Sequence, residues 1–283
     1  KKKRGERIPF VPSKELKAIQ RKILKFLRTI WDYNIPGVHG FGSPHILHAS
    51  EHMNQRWYFQ FDLRDAFYSV ELVKIRKILE WKFEETIGMI ESLVRDEVKD
   101  FLEIGEIVDL IMKLVSYKNL LPQGAPTSPF LFWLSLIESP GEMRDSLWRS
   151  ILQNIPGDSE VSCYVDGFVI SDKKPIPSDV VERVFQITKE AGFRVHKISH
   201  RDLRHGSPTI CGLRISDSGK ERRIVLPKRM VRKWRGIIGR ARFNPELKKK
   251  VEGFLAFSKP IYGNRIPPQL ENAARKLRGM KEG

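Results

Sequence analysis

Apolar positions first recur at three- and four-residue steps at Leu16, Ile19, Ile23, Phe26 and Ile30, directly after Pro12-Ser13. That spacing predicts a helix with Ser13 as its N-cap. The glycines and prolines of IPGVHGFGSP (35–44) end the pattern. In WYFQFDLRDAFYSV (57–70) an aromatic-rich run predicts a strand ending near Asp62. Helical spacing returns from Leu72 to about Lys118, enough for two or three helices. LPQGAPTSPFLFWLSLIESP (121–140) joins a Gly/Pro loop to an apolar run, with Ser128-Pro129 suited to a cap and first turn. Residues 161–171 read as a β-hairpin, and SDVVERVFQITKEAGF (178–193) as an amphipathic helix closed by Gly192. TICGLRIS and RRIVLP read as strands, and basic amphipathic helices run from about Pro227 to Lys281. Strands and helices interleave without a fixed repeat, as in an α+β or α/β core carrying a helical C-terminal piece.

With 41% hydrophobic residues in 283, the chain can bury such a core. Its charge adds something the pattern does not. A formal net charge of +17, spread along the chain, points to a polyanionic partner, most often nucleic acid. Cys163 and Cys211 lie in apolar runs without metal-type spacing and read as buried, reduced thiols of a cytoplasmic protein. The opening KKKRGERIPF has no apolar stretch behind it, and no window approaches twenty apolar residues, so neither a secretory leader nor a membrane span is expected.

The chemistry centres on CYVDGFVIS (163–171), where Asp166 stands at a hairpin tip and is followed by Gly167. Taken alone, Asp-Gly is a favoured two-residue hairpin loop. His45, His48 and His52 share helical spacing, but with no cysteine or fourth ligand near them a zinc site is not expected.

Three separated blocks, FDLRDAF (61–67), LPQGAPTSP (121–129) and YVDG (164–167), resemble in order and spacing the A, B and C motifs of reverse transcriptases, nearest to the bacterial retron and group II intron group. KKKRGERIPFVPSKELKAIQRKIL and VHGF resemble fingers segments, AGFRVH motif D, ICGLRIS the primer-grip hairpin, and LPKRMVRKWRGII with VEGFLAFSKPIYG the thumb. The resemblance implies an α+β right-hand polymerase fold. Its divisions would be fingers over 1–56, a palm over 57–226 with inserted fingers helices at about 72–120, and a helical thumb over 227–283.

It further implies an RNA-directed DNA polymerase working by two-metal nucleotidyl transfer with Mg²⁺ or Mn²⁺. Asp62 and Asp166 would be the catalytic, metal-holding carboxylates, joined by the Leu63 carbonyl on the nucleotide-bound ion. Arg7, Asp65, Ala66, Phe67, Gln123 and Gly124 would bind the nucleotide, with Phe67 as the aromatic gate against a 2′-hydroxyl and Arg7, with one of Lys1 to Lys3, clamping the triphosphate. Cys211, Gly212, Leu213, Lys228, Arg229, Arg232, Lys233 and Arg235 would face nucleic acid. The residues alone also admit a core role for Phe67 and for the thumb aromatics Trp234 and Phe243, and a plain turn at Gln123-Gly124. The implied partners are an RNA template, a DNA or RNA primer, deoxynucleoside triphosphates and a dedicated structured RNA, with no membrane.

Three features depart from the family pattern. Gly167 replaces the usual second aspartate of Y-x-D-D, HGFGSPHIL replaces a basic fingers stretch, and the motif D lysine is expected where Ser199 stands, with Lys197 nearby. Gly167 leaves two outcomes: a slower or Mn²⁺-favouring enzyme, or an inactive nucleic-acid-binding scaffold or RNA maturation cofactor. Asp172, six residues past Asp166, is expected to lie too far down the strand to replace the missing ligand.

Overall fold

The computed structural model describes residues 11–31, 35–39, 45–86, 103–139, 146–219, 221–241, 243–244, 246–262, 270–271 and 274–275. Nine helices are described: α1 (Lys14–Ile30), α2 (His45–Glu51), α3 (Leu72–Glu85), α4 (Ile104–Val115), α5 (Ser128–Ile137), α6 (Leu147–Gln153), α7 (Ser178–Glu190), α8 (Lys228–Arg240) and α9 (Glu246–Tyr262). The strands are β1 (Val38–His39), β2 (Trp57–Leu63), β3 (Glu160–Tyr164), β4 (Gly167–Asp172), β5 (Val195–Asp202), β6 (Thr209–Ile210), β7 (Leu213–Asp217) and β8 (Arg222–Val225). A five-stranded sheet runs β1-β3-β4-β2-β5 and a three-stranded sheet β6-β7-β8. Only the short β1–β3 pair is parallel, so of the two fold classes open to the sequence the protein takes α+β.

Local signals act much as their chemistry requires. Ser13 Oγ accepts the Leu16 N–H and starts α1. Gly192, with φ of 85°, follows the end of α7 in the left-handed conformation that glycine tolerates best. Ser128 differs from expectation. It is the first residue of α5 and Thr127 takes the cap position, while the Ser128 hydroxyl donates to the Pro122 carbonyl at 2.8 Å.

Strand alternation sorts two cores. Phe59, Phe61 and Leu63 of β2 and Phe168 and Ile170 of β4 enter the larger core, which they share with α3, α4, α5, α6 and α7. There Phe61 and Phe168 stack with centroids 5.0 Å apart and planes 4° from parallel. Tyr58 and Val169 belong instead to a second core formed with β6, β7, β8, α8 and α9. The same alternation sends Gln60 and Asp62 away from the larger core. Among the described residues, no helix is long and apolar enough to cross a membrane.

Candidate active site

Asp62 sits one residue from the end of the central strand β2, with β4 on one side and β5 on the other. Its Cα is paired with that of Gly167 across the sheet, and the Leu63 N–H donates to the Asp166 carbonyl at 2.8 Å. The two carboxylates proposed from motifs more than a hundred residues apart therefore meet at one sheet end. Leu63 itself buries its side chain in the larger core.

The hairpin is not built on an Asp-Gly loop. Tyr164 pairs with Gly167, so the two-residue connection is Val165-Asp166, and Gly167 is the first residue of β4. Val165 takes a left-handed φ of 55°, an unfavourable conformation for a β-branched residue. Asp166 stands beside it at the tip, while Gly167 has ordinary strand backbone. A Cβ added to Gly167 would lie 3.2 Å from Asp62 Oδ1, a tight contact, so the missing side chain lets that oxygen approach the β4 backbone closely.

Burial raises the Asp166 carboxyl above the usual aspartate range and nearby Asp62 adds to this, while its own backbone hydrogen bond, Lys197 and His196 oppose it. Lys197 Nζ donates to Asp62 Oδ2 at 2.5 Å, and His196 Nδ1 donates to the Asp62 carbonyl at 3.2 Å. Ser199, where the motif lysine was expected, instead lies opposite Gln60. An irregularity in the β2–β5 pairing shifts the register, and local spacing carries no sign of it. Asp172 pairs opposite Trp57 at the far end of β2 and is held by Ser159 Oγ at 2.6 Å.

A cleft of about 220 Å³ runs beside the carboxylates, lined by His48, Gln60, Asp62, Tyr164, Asp166 and Cys211 among others. A larger cavity of about 500 Å³, among α3, α5, α6 and α7, contains neither carboxylate. Cys211 corrects the expectation of a thiol buried in a strand. It occupies the β6–β7 turn with φ of 47°, followed by Gly212 at 79°, and its Sγ lies 3.0 Å from His48 Nδ1. Burial, reinforced by Asp62 and Asp166, pushes that thiol up to about 12, so it stays protonated. Leu213 is fully buried and anchors the turn instead of offering a side chain to a ligand.

The histidines at helical spacing part company. His48 stacks on Tyr164 at 5.9 Å, while His52 is buried between Ser171 Oγ at 2.6 Å and Ser162 Oγ at 2.5 Å. The His45 side chain lies outside the described residues.

The remaining proposed residues surround the strand end unevenly. Asp65, at φ of 49°, precedes a 3₁₀ turn over Ala66–Ser69, in which Ala66 is buried and Phe67 packs on Phe132 at 5.2 Å. Gly124, at φ of 101°, needs the freedom of glycine in the loop it shares with Gln123. Arg7 and Lys1 to Lys3 lie outside the described residues. Lys228, Arg229, Arg232, Lys233 and Arg235 lie along α8, and all five are exposed. The two thumb aromatics divide: Trp234 stacks on Phe254 at 4.0 Å, whereas Phe243 is 87% exposed.

The profile of the family described as reverse transcriptase (RNA-dependent DNA polymerase) matches residues 1–198. The chain belongs to the reverse transcriptase family. With the α+β core described above, membership gives this reverse transcriptase relative the right-hand polymerase fold. Similar solved structures include a telomerase from Candida albicans in complex with a fragment of telomeric RNA, 12% identical with a TM-score of 0.48. A foamy viral protease-reverse transcriptase in complex with an RNA/DNA hybrid is 17% identical with a TM-score of 0.41. The matches cover 94% and 79% of this chain but only 47% and 27% of those chains. No curated protein matches the sequence.

Among the described residues, no group of three or more His, Cys, Asp or Glu side chains is arranged to hold a metal ion. An ion here would rely on two carboxylates, completed by backbone oxygen, water or the phosphates of a nucleotide. Such an oxygen set suits Mg²⁺ or Mn²⁺.

Proposed function

We propose that the protein is an RNA-directed DNA polymerase that extends a primer on an RNA template with deoxynucleoside triphosphates. The observation that carries this reading is the meeting of Asp62 and Asp166 at the end of β2, fixed by the 2.8 Å bond between Leu63 N–H and the Asp166 carbonyl. Bound divalent ions would supply activation of the primer 3′-hydroxyl and charge neutralisation at the triphosphate.

The chain's own groups would do the rest. Asp62 and Asp166 would hold cationic charge at the sheet end, and Phe67, which packs on Phe132, would limit room for a 2′-hydroxyl. Gln123 and Gly124 would border the nucleotide, and Arg7 would reach its phosphates. The Cys211-Gly212 turn would press on the primer while the cations of α8 follow a phosphate backbone. Under this reading the second core, with β6–β8 and the two basic helices, corresponds to the primer grip and thumb, and the larger core to the palm. The retron and group II intron affinity belongs to this proposal, since it rests on motif spelling alone.

Primer extension of oligo-dT on poly-rA with dTTP, in Mg²⁺ and in Mn²⁺, tests the proposal. Extension by the parent that Asp62→Ala abolishes is the expected result. Extension that appears only after Gly167→Asp would instead identify a nucleic-acid-binding module whose chemistry has been lost.

A further inference from the structure

Lys197 reaches Asp62 through an irregularity in the sheet. On β5, His196 lies opposite Asp62 and Ser199 opposite Gln60, so Lys197 and Ile198 together face the single residue Phe61. Such an extra residue is a β-bulge, a device that re-aims side chains and is frequent beside active sites. Lys197 also takes a left-handed φ of 53°, uncommon for a residue other than glycine, asparagine or aspartate. The two features are independent of the ion pair, and together they turn the lysine toward the carboxylate. Its ammonium lies 2.5 Å from Asp62 Oδ2, although the lysine side chain is 65% exposed and could extend into water.

The two oxygens of Asp62 thus have different surroundings. Oδ2 carries the ammonium, and Oδ1 faces the space where Gly167 has no side chain. Counting Asp62 and Asp166 as −1 each and Lys197 as +1, the site has a formal charge of −1. Without Lys197 an ion-free site would hold two neighbouring carboxylates with less positive charge beside them, which is unfavourable for both.

We infer that Lys197 is a resident counter-ion of Asp62 that competes with a divalent ion for this carboxylate, so that this lysine sets the affinity of the site for the ion. The inference rests on the reading that Asp62 holds a divalent ion. A dication and an ammonium repel one another and compete for one carboxylate, so loss of the ammonium strengthens ion binding. Retaining its positive charge at position 197 keeps binding weak. Lys197 is a positioning residue here, since its ammonium touches Asp62 and not the reacting atoms.

Mn²⁺ titration of the intact chain without nucleotide, followed by the free-ion electron paramagnetic resonance signal, tests this directly. Lys197→Asn removes the charge with a residue that tolerates left-handed backbone, and Lys197→Gly fits the same backbone should asparagine disturb folding. The expected result is binding tightened about threefold or more in both, the scale of a partly exposed ion pair, with Lys197→Arg close to the parent. Asp62→Asn should lose the site. Binding that depends on Asp62 but is unchanged or weakened by Lys197→Asn overturns the counter-ion role alone. Binding that is absent, or indifferent to Asp62→Asn, overturns the metal reading of the site as well.

Discussion

Gly167 lies opposite Asp62 across the β2–β4 pair, and a Cβ at Gly167 would stand 3.2 Å from Asp62 Oδ1. This one relationship determines what restoring an acid would do. The backbone at 167 accepts a side chain once the Asp62 carboxylate yields by a few tenths of an ångström, so Gly167→Asp should fold, but it places a third carboxylate beside two others. In ion-free buffer the added repulsion should lower stability by about 1 kcal/mol, or about 2–4 °C in melting temperature for a domain of this size. Millimolar Mg²⁺ or Mn²⁺ should restore most of the loss. A melting temperature that ignores the ion would mean that the three carboxylates do not share one site.

Gly37 offers a contrasting case. It has φ of 75°, and an added Cβ would lie 2.5 Å from the Val161 carbonyl, a backbone atom with little room to yield. Gly37 is also tied to the central sheet, since its carbonyl accepts the Cys163 N–H at 2.8 Å. Gly37→Ala should therefore cost more than about 1 kcal/mol through strain and disturbed β1–β3 pairing. Urea denaturation would show this as a lower midpoint at unchanged slope, and an unmoved midpoint would refute the clash.

His52 predicts an acid sensitivity. Burial, with a smaller contribution from His39, lowers its folded pKa to about 3 from an ordinary 6.5. Between those values the unfolded chain binds a proton that the folded chain refuses, so this contribution to stability is complete above pH 6.5 and declines as pH falls toward 3. Melting temperature should drop between pH 7 and pH 5, and the drop should shrink in His52→Gln, which has no proton to gain. Equal drops in both proteins would remove His52 from the account.

The outer face of α8 carries Arg229, Arg232, Lys233 and Arg235, while Trp234 and Ile238 turn inward. Replacing those four cations with glutamine should leave the fold intact and weaken binding to RNA/DNA duplex of any sequence. For every phosphate that the variant no longer neutralises, the slope of log affinity against log salt should become shallower by about 0.7–0.9. Anisotropy titrations at several salt concentrations measure it. A slope equal to that of the parent would mean that this face does not meet the backbone.

Much of the fold was legible because its signals are local. Ser13 caps α1, Gly192 ends α7, and the aromatic-rich run WYFQFDL marks β2, whatever the distant chain does. Ser128 lies one residue inside α5 because its hydroxyl bonds back to the Pro122 carbonyl of the preceding loop in place of the helix start. Asp-Gly was a sound turn signal that did not apply, since strand pairing moved the loop back to Val165-Asp166 at the expense of strain. Cys211 looked like a core thiol in an apolar run, yet pairing of β6 with β7 made it the turn that borders the cleft.

The sequence by itself determined the family and the order of elements and singled out Asp62 and Asp166, since these are carried by contiguous motifs and hydrophobic periodicity. Only the tertiary structure decided which groups surround Asp62. Lys197 is 135 residues away along the chain and reaches it through a bulge whose register depends on pairing between distant strands. Such pairing reflects the packing of whole sheet faces, which no local window of sequence contains.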